Sequence, residues 1–128
     1  MKFNSQIHTT RSQSERLLAL GLKKETADMY HYKLWEGYWD IQSCPPRGTE
    51  PRYIPAWSLH RLIEMMPAVI TQDDYSLILG VNTTCAYYAD NEYGEVFKDF
   101  EGNSYDCVVK CIEWLIKEGY FNKEYLEE

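Results

Sequence analysis

Few residues in this 128-residue chain have types and spacing that could do chemistry. His60 and Glu64 are four apart in a run with helical periodicity. On a helix that spacing makes them neighbours, either an ion pair or half of an acid–base couple. A couple would need a nucleophile, and only a distant cysteine could supply one, so the surface pair is the simpler reading. Cys107 and Cys111 are also four apart, which places both on one side of a helix. Zinc sites usually join two such pairs, whereas Cys44 and Cys85 are single and 41 residues apart. Without a secretion signal the four thiols are expected to stay reduced, and the pair to pack as small hydrophobes. The acids between Asp90 and Asp106 do not form a calcium loop. Counted from Asp90 the glycine falls at position 5, and counted from Asp99 position 12 is Lys110. Nucleophile elbow, P-loop, dinucleotide glycine pattern and paired histidine ligands are all absent. No catalytic, cofactor-binding or metal-binding residue is assigned, and no cofactor is expected.

Two surfaces remain as places for a partner. If residues 95–100 form a strand, Glu95, Asp99 and Glu101 share a face, with Val96, Lys98 and Phe100 on the other. That row of carboxylates is a candidate acidic face. Aromatic residues are 15% of the chain, with 4 Trp and 11 Tyr, more than a core this size absorbs. Trp and Tyr offer large area and few torsions to a partner. Trp35, Tyr38, Trp39, Tyr53 and Trp57 are therefore the candidate partner surface, flanking the Pro-rich loop at 43–51. The competing reading packs the same rings between sheet and helices.

Net charge is −7, unevenly spread. Residues 1–33 carry +3 and residues 34–128 carry −10. An acidic body argues against general nucleic-acid binding, which needs Lys and Arg against phosphates. The one place for a DNA contact is the basic N-terminal part. There, two short helices around Gly21-Leu22 would place Lys23, Lys24 and Met29 on a recognition helix. No apolar run reaches the roughly 18–20 residues of a membrane span, and the start of the chain lacks a signal peptide, so a cytoplasmic setting without membrane contact is expected.

These residues need elements to position them. Residues 1–11 are polar and expected to fray, and 12–128 form one domain. A helix starting at Ser12 or Ser14 ends at Gly21, and a second helix follows at 24–32, giving an N-terminal helical hairpin. Residues 35–42 read as a strand. Leu59, Leu62, Ile63 and Met66 make one apolar stripe on a helix at 57–66, closed by Pro67. Four short strands follow at 68–71, 75–81, 84–89 and 95–100, separated by turn residues, a pattern of an antiparallel meander. Asn103 or Ser104 caps a last helix with Asp106 in its first turn and Gly119 after its end. Phe121, Tyr125 and Leu126 of the tail can dock back. The fold class is α+β, with an antiparallel sheet of three to five strands and the C-terminal helix packed on it.

Residues 14–29 (Ser14-Glu15-Arg16-Leu17-Leu18-Ala19-Leu20-Gly21-Leu22 through Thr26-Ala27-Asp28-Met29) and residues 54–67 resemble small uncharacterised proteins of Bacteroides-type bacteria. Those proteins are often encoded in prophages and mobile elements, and in them the last helix follows a turn like Gly102-Asn103-Ser104. The resemblance covers most of 14–118 and implies a bacterial cytoplasmic setting, with no activity to carry over. Residues 94–118 also resemble the end of a HicB-type antitoxin fold. The function expected is a non-catalytic protein-interaction domain with a protein partner, homodimerisation left open. The rival is a small hydrolase or metal-dependent enzyme using His60, Glu64 and a cysteine, and a third reading is DNA binding by the N-terminal helices.

Overall fold

The computed structural model describes residues 6–35, 38–42, 53–72 and 75–127. Three helices and seven strands appear among them: α1 Arg11–Ala19, β1 Met29–Trp35, β2 Tyr38–Gln42, β3 Tyr53–Ala56, α2 Leu59–Met65, β4 Val69–Gln72, β5 Tyr75–Val81, β6 Cys85–Asp90, β7 Val96–Glu101 and α3 Ser104–Glu118. The strands form two antiparallel sheets, a three-stranded one in the order β2-β1-β3 and a four-stranded meander β4-β5-β6-β7. The class is α+β with α3 across the meander, as expected. The single sheet is replaced by two.

The C-terminal half follows its local signals. Ser58 caps α2 by accepting from the Arg61 amide at 3.2 Å. Asn103 caps α3 through the Asp106 amide at 2.9 Å, and Gly119 ends it in the left-handed region at φ 80°. The inward face of α3, including Val108, Val109, Ile112 and Leu115, lies on Leu77, Ala86 and Tyr88 of the meander in one buried cluster. Leu17, Trp57, Leu62 and Met65 extend that cluster to α1 and α2. The tail docks: Phe121 is buried, Leu126 bridges to Leu22, and the Lys23 amide donates to the Tyr125 carbonyl at 2.8 Å.

The N-terminal hairpin of helices is not formed. After α1, residues Lys24–Thr26 make a single 3-10 turn, and the chain then extends into β1. The Thr26 hydroxyl donates back to the Lys23 carbonyl at 2.6 Å and closes that turn. Beyond it, Tyr30, His31 and Tyr32 favour a pleated strand, and β1 gains partners on both sides in β2 and β3. Those pairings outweigh the helical compatibility of Thr26-Ala27-Asp28-Met29.

Residues 6–10 correct the expected fraying. Gln13 and Thr10 form a capping box that starts α1, each side chain accepting from the other's amide at 3.0 and 3.1 Å. The cap is therefore Thr10 rather than Ser12 or Ser14. Ser14 turns inward and shares a 2.8 Å hydrogen bond with the Thr9 hydroxyl. Thr9 is fully buried, and all its polar groups are used. Its amide donates to the Trp57 carbonyl at 2.9 Å, its hydroxyl accepts from the Trp57 amide at 3.0 Å, and its carbonyl accepts from His31 Nε2 at 2.8 Å and His8 Nδ1 at 2.9 Å. Trp57 is also fully buried, and its indole N–H donates to the Thr26 hydroxyl at 2.9 Å. Arg61 Nε reaches the Thr26 carbonyl at 2.8 Å, and Asp28 accepts from the Ser58 amide at 2.8 Å.

Two outcomes follow from this network. Thr9→Val keeps the shape but leaves the Trp57 amide without its acceptor, and is expected to lower stability by about 1–3 kcal/mol in urea titrations. Burial holds the His31 imidazole below its ordinary pKa, with His8 and Arg11 adding to the shift and the Thr9 carbonyl opposing it. The unfolded chain then binds a proton that the folded chain refuses, so stability is flat above the ordinary histidine value of about 6.5 and falls as pH drops below it. His31→Gln, which keeps a donor for the Thr9 carbonyl, is expected to flatten that acid limb of the urea midpoint against pH.

Candidate interaction surface

The pleat of the meander sorts its residues between two faces. Ile70, Leu77, Leu79, Ala86, Tyr88 and Phe100 turn toward α3, and all belong to or pack against the core. The opposite face would ordinarily be polar in an antiparallel sheet covered on one side. Here three successive register pairs, Val69↔Ile78, Ile78↔Ala89 and Ala89↔Val96, draw an apolar row across all four strands of that face. Val69 is 50% exposed, Ile78 39% and Val96 53%. Ala89 is half-buried between them.

The next row is Gly80↔Tyr87↔Asp99. Gly80 has no Cβ, and one placed there would run into the outer end of the Tyr87 ring, which lies over the glycine. The aromatic surface thus continues the apolar row toward Asp99 and then Glu101, which pairs with Cys85. Among the described residues, the strands place no lysine or arginine on this face.

Asp99 and Glu101 share this outer face, and both are exposed. Glu95 does not join them. A bulge between Tyr88 and Ala89 inserts Phe97 as an extra residue, and Val96 takes the place on the Asp99 face that alternation assigned to Glu95. Glu95 precedes the strand and lines a shallow cleft of about 410 Å³ with Asp90, Val96 and Phe97.

The aromatic candidates divide. Trp57 is a core residue with no exposed surface, which corrects its place on a partner surface. A neutral indole with its N–H satisfied by Thr26 is stable there. Tyr53 is half-buried on β3, its ring edge-on to Tyr30 with centroids 5.6 Å apart. Trp35, Tyr38 and Trp39 are placed by their backbone in the β1–β2 pairing, and their side chains lie outside the described residues, as does the whole loop at 43–51.

The chemical candidates do not assemble. His60 stands in solvent with Nε2 3.8 Å from Glu64, and Arg61 holds the same carboxylate at 2.6 Å. The Cys107 and Cys111 side chains are buried in the α3 core, far from that exposed pair in environment. Burial raises both thiol pKa values, that of Cys111 to about 12, which makes them poor nucleophiles. Cys85, Cys107 and Cys111 are free thiols, and Cys44 lies outside the described residues. Among the described residues, no group of three or more His, Cys, Asp or Glu could hold a metal ion. Lys23 and Lys24 sit at the 3-10 turn, so the recognition helix needed for a helix-turn-helix is not there. No helix among the described residues is long and apolar enough to cross a membrane.

Sequence reasoning passed over Val69, Ile78 and Ala89. A signal was present in Leu77-Ile78-Leu79, where a strand of an antiparallel meander fails to alternate. Apolar residues on both faces of such a strand mean that both faces have a use. Gly80→Ala is expected to swing the Tyr87 ring off the sheet at a cost of about 1 kcal/mol. Loss of the nuclear Overhauser contacts between that ring and residue 80 would report it.

Comparison with known proteins adds no relative: no family model, no curated protein and no solved structure matches this chain.

Proposed function

We propose that this chain is a non-catalytic protein-interaction domain that docks a partner on the outer face of β4–β7. The partner presents an apolar strip bordered by lysine or arginine. The observation that carries the reading is the unbroken row Val69, Ile78, Ala89 and Val96, exposed except at Ala89, on a sheet whose other face is already packed. Isolated apolar residues on a surface need no explanation, but a contiguous row does. Asp99 and Glu101 at the β7 side give the face its charge, and the absence of cations among its described residues sets the sign of the partner. A second copy brought face to face would place these carboxylates against the same acidic surface, so a basic protein is the better occupant. The resemblance carried by residues 14–29 and 54–67 adds a bacterial, mobile-element setting to this reading.

The test compares the wild-type chain with Ile78→Lys/Val96→Lys and with Asp99→Lys/Glu101→Lys. These side chains lie outside the core, so folding is expected to survive both changes. Cross-linking in bacterial lysate should join the wild type to one protein through a segment mixing apolar and basic residues. The first variant should abolish that cross-link, and the second should weaken it at least about tenfold. A cross-link that survives Ile78→Lys/Val96→Lys would contradict the proposal. So would a stable homodimer closed through this face.

A further inference from the structure

The other face of β7 carries charge of the opposite sign. Alternation that sends Asp99 and Glu101 outward sends Lys98 and Phe100 toward α3. There they meet Lys110, Trp114 and Lys117 of α3 and Arg16 of α1 around an open cleft of about 370 Å³. Four of the 13 lysines and arginines of a chain with net charge −7 thus converge on one cleft. Glu113 is the carboxylate lining it, and it is already engaged. Arg16 donates to its Oε2 through Nε at 3.1 Å, and Lys117 lies 3.3 Å from its Oε1. These partners hold the Glu113 carboxyl below its ordinary pKa, so it stays charged and keeps Arg16 and Lys117 in place.

Lys98 and Lys110 are placed differently. Lys98 Nζ lies 5.7 Å over the Phe100 ring, and Lys110 Nζ donates to the Glu101 carbonyl at 3.1 Å. Neither ammonium has a carboxylate within salt-bridge distance among the described residues. The cleft therefore sets four cations against one carboxylate, and Lys98 and Lys110 are the two of the four that Glu113 does not engage. Its wall is aromatic. Trp114 is half-buried, with Phe100 at 6.1 Å and Tyr88, Phe97 and Tyr120 also around it. That packing fixes the indole in place as a platform.

From this arrangement we infer that the cleft binds a mononucleotide, with the phosphate between Lys98 and Lys110 and the base against Trp114. A phosphate monoester brings close to two negative charges and several acceptor oxygens, which a single carboxylate does not. Stacking on an aromatic side chain is worth roughly 1–3 kcal/mol per base and is tolerant of base identity. The volume is near the lower end of small-molecule sites, about 300 Å³, and accommodates one nucleotide unit. A longer strand leaving the cleft would run onto Asp99, Glu101 and the rest of an acidic chain, so the free nucleotide is favoured over the polymer. This site is independent of the outer face of the sheet.

The experiment follows amide and indole resonances of the full chain while adenosine monophosphate is added, with inorganic phosphate, adenosine and a short oligonucleotide as separate probes. Adenosine monophosphate should bind saturably at one site and shift the Trp114 indole and the Lys98 and Lys110 amides. Phosphate and adenosine alone should each bind at least about tenfold more weakly, since each makes half of the contacts. Lys98→Gln/Lys110→Gln changes two exposed side chains, should leave the melting temperature in place, and should weaken binding about tenfold or more. The inference is overturned by absence of saturable binding, or by phosphate binding as well as the nucleotide. An oligonucleotide that binds more tightly per site, or an unchanged affinity in the double variant, would overturn it too.

Discussion

A buried tryptophan with every polar neighbour satisfied holds the first half of this protein to the second. Trp57 sits at the junction of β3 and α2, and its indole N–H has to find an acceptor once it leaves water. Thr26 supplies it, and in doing so fixes the 3-10 turn that follows α1. The Trp57 backbone is matched on both sides by Thr9, which brings the segment before α1 against β3 and β1. Among the described residues no buried side-chain nitrogen or oxygen is left without a partner. Among the described residues, the buried apolar cluster takes no member from the three-stranded sheet. Among the described residues, this polar knot ties the sheet to α1, α2 and the 3-10 turn.

With that half tied down, the meander and α3 are free to present surfaces. Strand β7 is the edge at which both faces meet solvent, and its alternation of Lys98, Asp99, Phe100 and Glu101 separates charge by sign. The outer face is apolar and acidic, and the inner edge is aromatic and basic. One strand thus sets up two chemically distinct surfaces that do not share side chains. The bulge at Phe97 sharpens the separation by moving Glu95 off the outer face. It also brings the Phe97 ring to Trp114, with centroids 6.5 Å apart.

Much of the second half was legible because its signals are local. Asn103, Asp106 and Gly119 mark α3 to within a residue, and turn residues separate the four meander strands. Asp99 and Glu101 were legible for the same reason, since a two-residue period needs no tertiary knowledge. The first half was not legible, because its structure is decided by partners distant in sequence. Residues 27–32 read as helix until β2 and β3 are present to pair with them. Thr9 carries no local mark of importance; only Trp57, 48 residues on, makes it a hub. Trp57 was assigned outward by the excess of aromatics in the chain, and composition does not say which ring is buried. The basic cleft joins α1, β7 and α3, and no spacing rule links Arg16 to Lys98 and Lys110.

The central claim is that the Thr9–Trp57–Thr26 knot makes the two sheets one cooperative unit. Native-state hydrogen exchange tests it most directly, by comparing the Thr9 amide and the Trp57 indole N–H with the core amides of α3. The account predicts that both exchange only on global unfolding, with the same free energy of opening as Val108 and Ile112. Exchange of Thr9 and the Trp57 indole at rates near those of an open chain, while α3 stays protected, would contradict it.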